Sequence, residues 1–211
     1  MTTLSASHPN MVTKQSIIFF LIFKGHHPVL VELLKDFRTN PGNYFNFAIR
    51  EASANGHVDI VAELIKDSRV DPSANCNAAV RFACLYGHVD VVRILMQDIR
   101  VNPGDSNYAV RWAAENGHVE VIRELLKDPR VDPSAFSNCA IQEASENGHV
   151  KVVRELIKDP RVNPADCDNH ALRVALQRGH LEVVKELLKD MRVKTKWGST
   201  EPQLNFSKYQ M

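Results

Sequence analysis

The chain has no excess of charge of either sign. Its 211 residues include 26 lysines and arginines and 25 aspartates and glutamates, which gives a formal net charge of +1. Nucleic-acid-binding domains usually carry a basic excess on one face, and a protein held electrostatically on an anionic membrane also needs clustered basic residues. The composition therefore predicts neither nucleic acid nor a membrane as the partner.

Long hydrophobic runs are also lacking. The longest run covers residues 17–23, whereas a membrane-spanning helix needs about 20 apolar residues. A secretory signal would continue into small residues at a cleavage site, but Lys24-Gly25-His26 follows here. Because Gly25-His26 is in phase with the repeat described below, we expect this run to form the first helix of a repeat.

Cysteine is scarce, and its four copies show no paired or metal-type spacing. Cys76 and Cys167 are expected in loops three repeats apart. Packed helices lie roughly 10 Å apart, so these two thiols should be beyond disulfide reach. We therefore predict free thiols and an intracellular protein, with the cytoplasm as the expected compartment.

Catalytic motifs are lacking as well. The sequence contains no Gly-x-Ser-x-Gly, no phosphate-binding glycine loop and no His-Glu-x-x-His. The Asp, Arg and Glu residues that do recur are explained by their role in maintaining the repeat. A residue that recurs in every repeat does not indicate a unique active site. We predict no enzymatic activity, no catalytic residues and no cofactor.

What the chain does have is one dipeptide at a constant spacing. Gly-His occurs six times, and the glycines are separated by 31, 31, 30, 31 and 31 residues. A fixed period in this range indicates a solenoid in which each repeat contacts only its neighbours. Histidines one repeat apart cannot share a metal ion with bonds of about 2.1 Å. We therefore predict no metal site and expect the histidines to hydrogen-bond to the turn backbone.

The residues around Gly-His predict a helix, a turn and a second helix. The glycine should end the first helix in a left-handed conformation. After it, Val58, Val61, Leu64 and Ile65 form an amphipathic stripe. Ten residues before each of the last five glycines stands an asparagine, which we expect to cap the N-terminus of the first helix: Asn46, Asn77, Asn107, Asn138 and Asn169.

Each unit closes with Asp, any residue, Arg, an aliphatic residue, Asp or Asn, and Pro. An aspartate at a helix C-terminus is unfavourable against the helix dipole, and we expect the nearby arginine to offset it locally or across the repeat boundary. The proline forbids helix continuation. Asn107 follows Pro103 by four positions, whereas the asparagine follows the proline by five positions in the other copies. One residue is therefore deleted from this loop.

These residues resemble an ankyrin repeat. The matching features are the Gly-His turn, the aliphatic pairs such as Val91-Val92 and Leu125-Leu126, and the first-helix pattern Ala-aliphatic-x-x-Ala. The resemblance covers about residues 15–192. It implies an all-α, ankyrin-type helical-hairpin solenoid of about six stacked repeats with short loops or fingers.

The unit also departs from the family pattern. Its period of 31 is shorter than the usual 33, and Tyr108-Ala109-Val110-Arg111 stands where Thr-Pro-Leu-His would. The missing residues fall in the loop that carries a β-turn finger in ankyrins, so we expect shorter and less strand-like fingers. A HEAT- or TPR-like array is the alternative fold.

The repeat phase divides the chain into three regions. We predict an N-terminal arm over 1–14, an ankyrin-repeat domain over 15–192 and a mobile C-terminal tail over 193–211. The repeats are expected at about 15–45, 46–76, 77–106, 107–137, 138–168 and 169–192.

The resemblance implies a non-enzymatic scaffold that binds another protein on the concave face formed by the first helices and loops. Phe82 and Trp112 are equally well explained as fillers of the seam between stacked first helices. Carried over by register, the predicted partner-binding residues are Tyr44, Phe47, Phe82, Leu85, Tyr86, Asp105, Tyr108, Trp112, Glu115, Phe136, Glu143, Glu146, His170, Gln177 and Arg178.

Two other functions stay open. The first helix is the most apolar, with Phe19, Phe20, Ile22 and Phe23. We expect the N-terminal arm to cover it, but a second copy could instead do so and give a homodimer or a self-assembling structural component. An enzyme or toxin with a loop-borne site is the second alternative, and it would need a cluster of shifted titratable groups.

Overall fold

The computed structural model of this chain describes residues 20–22, 24–36 and 41–200. α-Helices joined by short loops make up this part of the chain, and it contains no strand. The predicted all-α architecture is confirmed for the residues described, and the loops there contain no strand, where shorter and less strand-like fingers were expected.

The helices follow one another in a regular order. After helical residues 20–22 come α1 His27–Leu34, α2 Asn43–Ala54, α3 Val58–Lys66, α4 Ala74–Leu85, α5 Val89–Gln97, α6 Tyr108–Glu115, α7 Val119–Leu125, α8 Ala135–Glu146, α9 Val150–Ile157, α10 Asp166–Arg178, α11 Leu181–Leu187 and α12 Met191–Thr200.

The helices α2 to α11 form five antiparallel pairs that stack in register. In each pair a Gly-His turn joins a first helix to a second helix. First helices pack against first helices of the neighbouring pairs, and second helices against second helices. Helix α1 packs on α3 in the same way, as the second helix of a preceding unit. The first helix of that unit lies largely outside the described residues, so the count of six repeats stays a prediction.

One continuous hydrophobic core runs through the stack from Ile22 to Val193. First helices contribute small residues, such as Ala79 and Ala83, which let neighbouring helices approach closely. Second helices contribute aliphatic side chains such as Leu95, which is fully buried. Because every unit buries its apolar stripe against the next, most of the stability of each pair comes from its neighbours.

The Gly-His turn closes each first helix as predicted. The six glycines have φ between +68° and +79°. The backbone N–H of His57 donates to the carbonyl of Ala52 at 2.9 Å, and that of Gly56 donates to Ser53 at 3.4 Å. This pair of bonds is a Schellman motif, which satisfies the last carbonyls of the helix.

The five asparagines do not cap the first helices, so that prediction is wrong. They have left-handed φ values from +48° to +61°, and no side-chain cap bond is formed. Instead, the Oδ1 of four of them accepts the backbone N–H of a residue 25 positions later, as Asn138 does from Asn163 at 2.7 Å. Asn169 donates its Nδ2 to the Val193 carbonyl at 3.2 Å. The asparagine therefore ties its own repeat to the loop of the following one.

The loop arginines act both locally and across the repeat boundary, as expected. The guanidinium of Arg130 binds the Asp128 carboxylate at 2.7 Å and also donates to the Val101 carbonyl of the preceding loop at 3.0 Å. Hydrogen bonds from Arg130 hold the pKa of Asp128 below its usual value. The same arrangement recurs at Asp98, Asp159 and Asp190.

The repeat domain extends beyond the predicted boundary at 192. Helix α12 begins at Met191 and packs against α10. Val193 is fully buried, and Lys196 forms an ion pair with Asp168 at 3.0 Å. Residues 193–200 therefore form a helix on the last pair instead of a tail, because Val193 continues the buried aliphatic position of each loop. The rest of the predicted tail lies outside the described residues.

Candidate functional site

Four aromatic side chains gather on the exposed side of α4, α6 and the start of α8. The rings of Phe82 and Trp112 stack with centroids 6.4 Å apart and planes 9° apart. Tyr108 lies 5.5 Å from Trp112 and 6.3 Å from Phe136. The four rings therefore form one connected group, called here the aromatic cluster, across three successive repeats.

The guanidinium of Arg81 lies over two rings of the aromatic cluster. Its central carbon is 4.9 Å from the Trp112 centroid and 5.3 Å from the Tyr108 centroid. Both distances are within the range of cation–π attraction, about 6 Å. One Nη group also donates to the Cys76 carbonyl at 3.1 Å. These contacts fix the arginine in place beside the rings.

A left-handed turn near the start of α4 places the Cys76 carbonyl where Arg81 reaches it. Asn75, Cys76 and Asn77 all have left-handed φ values near +56°, and the turn they make points the middle carbonyl at the side chain five residues later. Two further loops use the same bond, from Gln142 to the Ser137 carbonyl and from Arg173 to the Asp168 carbonyl.

The shortened loop breaks this pattern. The 3₁₀ turn Asp105–Asn107 replaces the longer left-handed turn before α6. Arg111 occupies the position in α6 that Arg81 occupies in α4. It binds the Glu143 carboxylate of the next repeat at 2.9 Å instead of a loop carbonyl. The single deletion in the sequence therefore changes the partner of one arginine in the row.

The aromatic cluster is neither core nor fully exposed. Phe82, Tyr108 and Trp112 are half-buried, while Phe136 is 62% exposed. Tyr86, at the end of α4, is 55% exposed. Phe82 and Trp112 thus bridge adjacent first helices at the surface, as the seam interpretation expects, and their role in partner binding stays a prediction.

Several other predicted binding residues are engaged within the scaffold. Asp105 accepts a hydrogen bond from the Asn77 side chain at 3.0 Å. Glu143 is paired with Arg111, and Glu146 with Arg178 in the next repeat. These carboxylates tie one repeat to another, which leaves them less available than an unpaired surface carboxylate would be.

The remaining predicted binding residues are spread along the first helices. Phe47 lies beneath the Arg50 guanidinium at 5.7 Å. His170 Nδ1 is 3.4 Å from Arg173. Leu85 and Glu115 are half-buried and Gln177 is exposed. The side chain of Tyr44 lies outside the described residues. The structure therefore brings together Phe82, Tyr108, Trp112 and Phe136, and leaves these others apart from them.

Sequence reasoning missed Arg81 and Arg111 as site residues. The signal was present, because the residue after the first-helix aliphatic is basic in four of the five copies from Arg50 onward. The contacts of this residue depend on loop geometry that the repeat pattern does not encode.

Four of the six turn histidines bind the backbone, although across the repeat boundary, while the Nε2 of His57 is buried without a hydrogen-bond partner. The Nε2 of His118 donates to the Leu85 carbonyl at 3.0 Å, in the last turn of the preceding first helix. His88, His149 and His180 make the equivalent bond. Within the described ranges no group of three or more His, Cys, Asp or Glu side chains could hold a metal ion.

The shifted titratable groups of the described residues lie in ion pairs and in the core, apart from the half-buried Cys139 thiol, whose pKa is raised by burial. Hydrogen bonds from lysine and arginine lower the pKa of Glu124 and Glu186, and burial raises the pKa of the Cys84 thiol. None of these groups lies in the aromatic cluster.

No described helix is long and apolar enough to cross a membrane.

The N-terminal apolar residues are only partly available. Phe20 is 57% exposed, but Ile22 is fully buried in the core. The prediction that Ile22 contributes to a dimer contact is therefore wrong, because the helix turns this side chain toward α1 and the repeat stack. Phe19 and Phe23 lie outside the described residues.

Comparison with known proteins identifies the fold and the family. The crystal structure of the human ASB11 ankyrin repeat domain matches with a TM-score of 0.68 and 16% sequence identity, over 82% of each chain. At this identity the likeness shows the fold alone. A search of curated proteins gave no match. The family model described as ankyrin repeats (3 copies) matches residues 13–107, 49–137 and 110–196, and the chain therefore belongs to the ankyrin-repeat family.

Proposed function

We propose that this chain is a non-enzymatic scaffold that binds another protein through its first-helix face, meaning the exposed sides of the first helices and the loops before them. Ankyrin repeats are generally protein–protein interaction modules. The aromatic cluster is the observation that supports this face as the binding surface. Four adjoining rings at the surface of a soluble protein form the kind of patch that marks an interface.

The composition and rigidity of the aromatic cluster both favour binding. Trp and Tyr are enriched among interface hot spots, where truncation costs about 2 kcal/mol or more. Trp112 is held by Phe82, Tyr108 and Arg81, so little side-chain freedom remains to be lost on association. Pre-organisation of this kind lowers the entropic cost of binding.

Affinity capture with matched variants tests the proposal. The full chain and its variants Trp112→Ala, Phe136→Ser and Ile99→Ser are immobilised, and retained proteins are quantified by mass spectrometry. Ile99 is 93% exposed in the loop after α5 and outside the aromatic cluster. We expect a partner retained by the wild-type chain and by Ile99→Ser, and reduced about tenfold or more by the other two.

Folding controls separate binding from stability. Phe136 is mostly exposed, so Phe136→Ser should melt close to the wild-type temperature in circular dichroism. A partner that Phe136→Ser and Trp112→Ala retain as well as the wild-type chain does, while both variants stay folded, contradicts the proposed face.

A second candidate function is self-association through the N-terminal end. Phe20 and Val29 are 57% and 52% exposed, and both lie at the end of the stack. A second copy covering them would give a dimer or a larger assembly. Sedimentation of the wild-type chain against Phe20→Ser and Val29→Ser tests this, since a monomeric wild-type chain excludes it.

We further infer an intracellular, cytoplasmic protein. The four cysteines are free in the structure, which fits a reducing compartment. Division into an arm over 1–14 and about six repeats from residue 15 is part of the same proposal.

A further inference from the structure

Arg81 differs from most arginines in the described part of the chain because it has no carboxylate partner. On the second helices, Arg93, Arg123 and Arg154 each bind a glutamate of the next repeat. In the loops, each arginine binds the aspartate two residues earlier. No acidic side chain lies within 4.0 Å of the Arg81 guanidinium, so its positive charge is not neutralised within this part of the fold.

Arg81 nevertheless occupies a defined position. Its guanidinium lies over Tyr108 and Trp112, and the only acceptor it has among the described residues is the Cys76 carbonyl. One Nη group is therefore left with donors that point to no protein acceptor. The Nε–H of Arg81 is buried, so this Nη group is the part of the guanidinium that can donate a charge-assisted hydrogen bond to a carboxylate.

Arg50 occupies the same position one unit earlier, although the ring beneath it belongs to its own helix. It lies over the Phe47 ring at 5.7 Å and has no carboxylate partner in the described residues. Glu51 occupies in α2 the repeat position that Phe82 occupies in α4, and it forms no ion pair with either arginine. Stacked helices lie roughly 10 Å apart, which is the span of three residues in an extended peptide at about 3.3 Å per residue.

We propose that the first-helix face binds an extended acidic segment of the partner protein, with one carboxylate on Arg81 and an apolar side chain of the same segment on the aromatic cluster. This inference rests on the proposed function and names the partner's chemistry. In this arrangement a second carboxylate of the partner segment, three residues from the first, binds Arg50. Charge complementarity selects this occupant, because the uncompensated charge beside the rings is positive.

The test uses peptides of random sequence, displayed on phage and selected on the immobilised full chain. We expect selected twelve-residue peptides to carry Asp or Glu in excess over the starting library, close to an aromatic or aliphatic residue. The strongest peptide and its version with Asp→Asn and Glu→Gln are then synthesised, and their dissociation constants are measured by calorimetry.

Arg81→Gln is the decisive variant, and the chain itself supports its folding. Gln142 holds the same register in α8 and makes the same bond to the loop carbonyl. We expect Arg81→Gln to weaken the acidic peptide about tenfold or more, since bonds between charged groups are among the stronger ones. The matched control Arg93→Gln removes the same charge from the second-helix side and should change affinity less than about twofold.

A double-mutant cycle separates this inference from the proposed function. The neutral peptide should lose no further affinity on Arg81→Gln. If Phe136→Ser weakens the peptide while Arg81→Gln and peptide neutralisation do not, the acidic-segment inference is overturned and the proposed face stands. If selection gives no peptide that depends on Arg81 or on Phe136, both are overturned.

Discussion

The imidazole of His118 fills the space that a side chain on Gly87 would occupy. A Cβ on Gly87 would lie 2.5 Å from His118 Nδ1, while the Nε2 of the same ring donates to the Leu85 carbonyl at 3.0 Å. The Gly-His dipeptide therefore joins repeats to one another: the glycine of one turn receives the histidine of the next turn. This explains why the two residues recur together.

The first prediction separates the two roles of the turn glycine. Gly87 and Gly179 have the same φ of +79°, but Gly179 has no neighbouring atom within 4 Å of an added Cβ. Gly179→Ala should cost only the left-handed conformation, about 1–2 kcal/mol. Gly87→Ala should lower the free energy of unfolding by about 1–3 kcal/mol more, as measured by urea denaturation. Equal losses would show that the histidine moves aside freely.

The second prediction concerns the side chain of Asn138, which links two repeats. Its Nδ2 donates to the Asp166 carboxylate at 2.9 Å, and its Oδ1 accepts the Asn163 N–H. Asn138→Asp keeps the acceptor but sets two carboxylates against each other, so we expect a loss of about 1–3 kcal/mol in unfolding free energy at pH 7.

Asn107→Asp is the matched control for this change. Asn107 Oδ1 accepts the Asp132 N–H at 2.9 Å, and the structure gives its Nδ2 no carboxylate partner. The control should cost less than about 1 kcal/mol. The prediction fails if thermal melts show the two variants to be equally destabilised.

The repeat sequence was sufficient to predict the helix pairs and their turns, because Gly-His, the alanines and the aliphatic stripe depend on packing that every repeat shares. The asparagines were misread for a physical reason. An asparagine before a helix is compatible both with an N-cap and with a left-handed turn residue. The choice is made by the next repeat, whose backbone N–H at residues such as Asn163 needs an acceptor. A local pattern cannot show a partner 25 residues away.

The candidate site was predictable only in part. The aromatic residues stand out because they break the repeat, and the structure brings Phe82, Tyr108, Trp112 and Phe136 together. Arg81 and Arg111 have the same register but different partners, and the difference comes from loop conformation. Glu143 and Glu146 were predicted to bind a partner because the sequence does not show that each is paired within the scaffold. Their partners, Arg111 and Arg178, are 32 residues away in the sequence.

The third prediction concerns acid unfolding. Hydrogen bonds from Arg130 lower the pKa of Asp128 in the folded protein. The unfolded-state value is about 3.9, so the pair stabilises the protein above that pH and its contribution is lost as the pH falls through the folded-state pKa. We expect unfolding free energy to decline below about pH 4. Asp128→Asn should lower stability at pH 7 by about 0.5–1 kcal/mol and flatten this decline.

An exposed carboxylate provides the control for Asp128. Asp90 pairs with Arg93 on the surface of α5, and exposed pairs contribute little. Asp90→Asn should therefore leave both the neutral stability and the acid decline nearly unchanged. Urea titrations at pH 3, 4, 5 and 7 compare the two variants, and an unaltered slope for Asp128→Asn would contradict the assignment.

The last prediction concerns Gly104, in the loop that is one residue short. Its φ of −83° suits any residue, and Ser134 and Ala165 hold the same register in longer loops. A Cβ on Gly104, however, would collide with the Arg130 carbonyl oxygen and lie 2.6 Å from its carbon. Gly104→Ala should therefore lower the unfolding free energy by about 1–3 kcal/mol through overpacking, although alanine is intrinsically suited to this backbone.

Two variants distinguish this steric cause from a general effect of the loop. Ala165→Gly makes the reverse change where there is room for a methyl group, and it should cost about 1 kcal/mol or less. Inserting one serine after position 104 in Gly104→Ala restores the five-residue spacing of the other loops. Since the longer loops accommodate a Cβ at this register, the insertion should recover most of the lost stability in urea denaturation. A variant that stays as unstable with the insertion as without it would show that loop length is not what makes glycine necessary here.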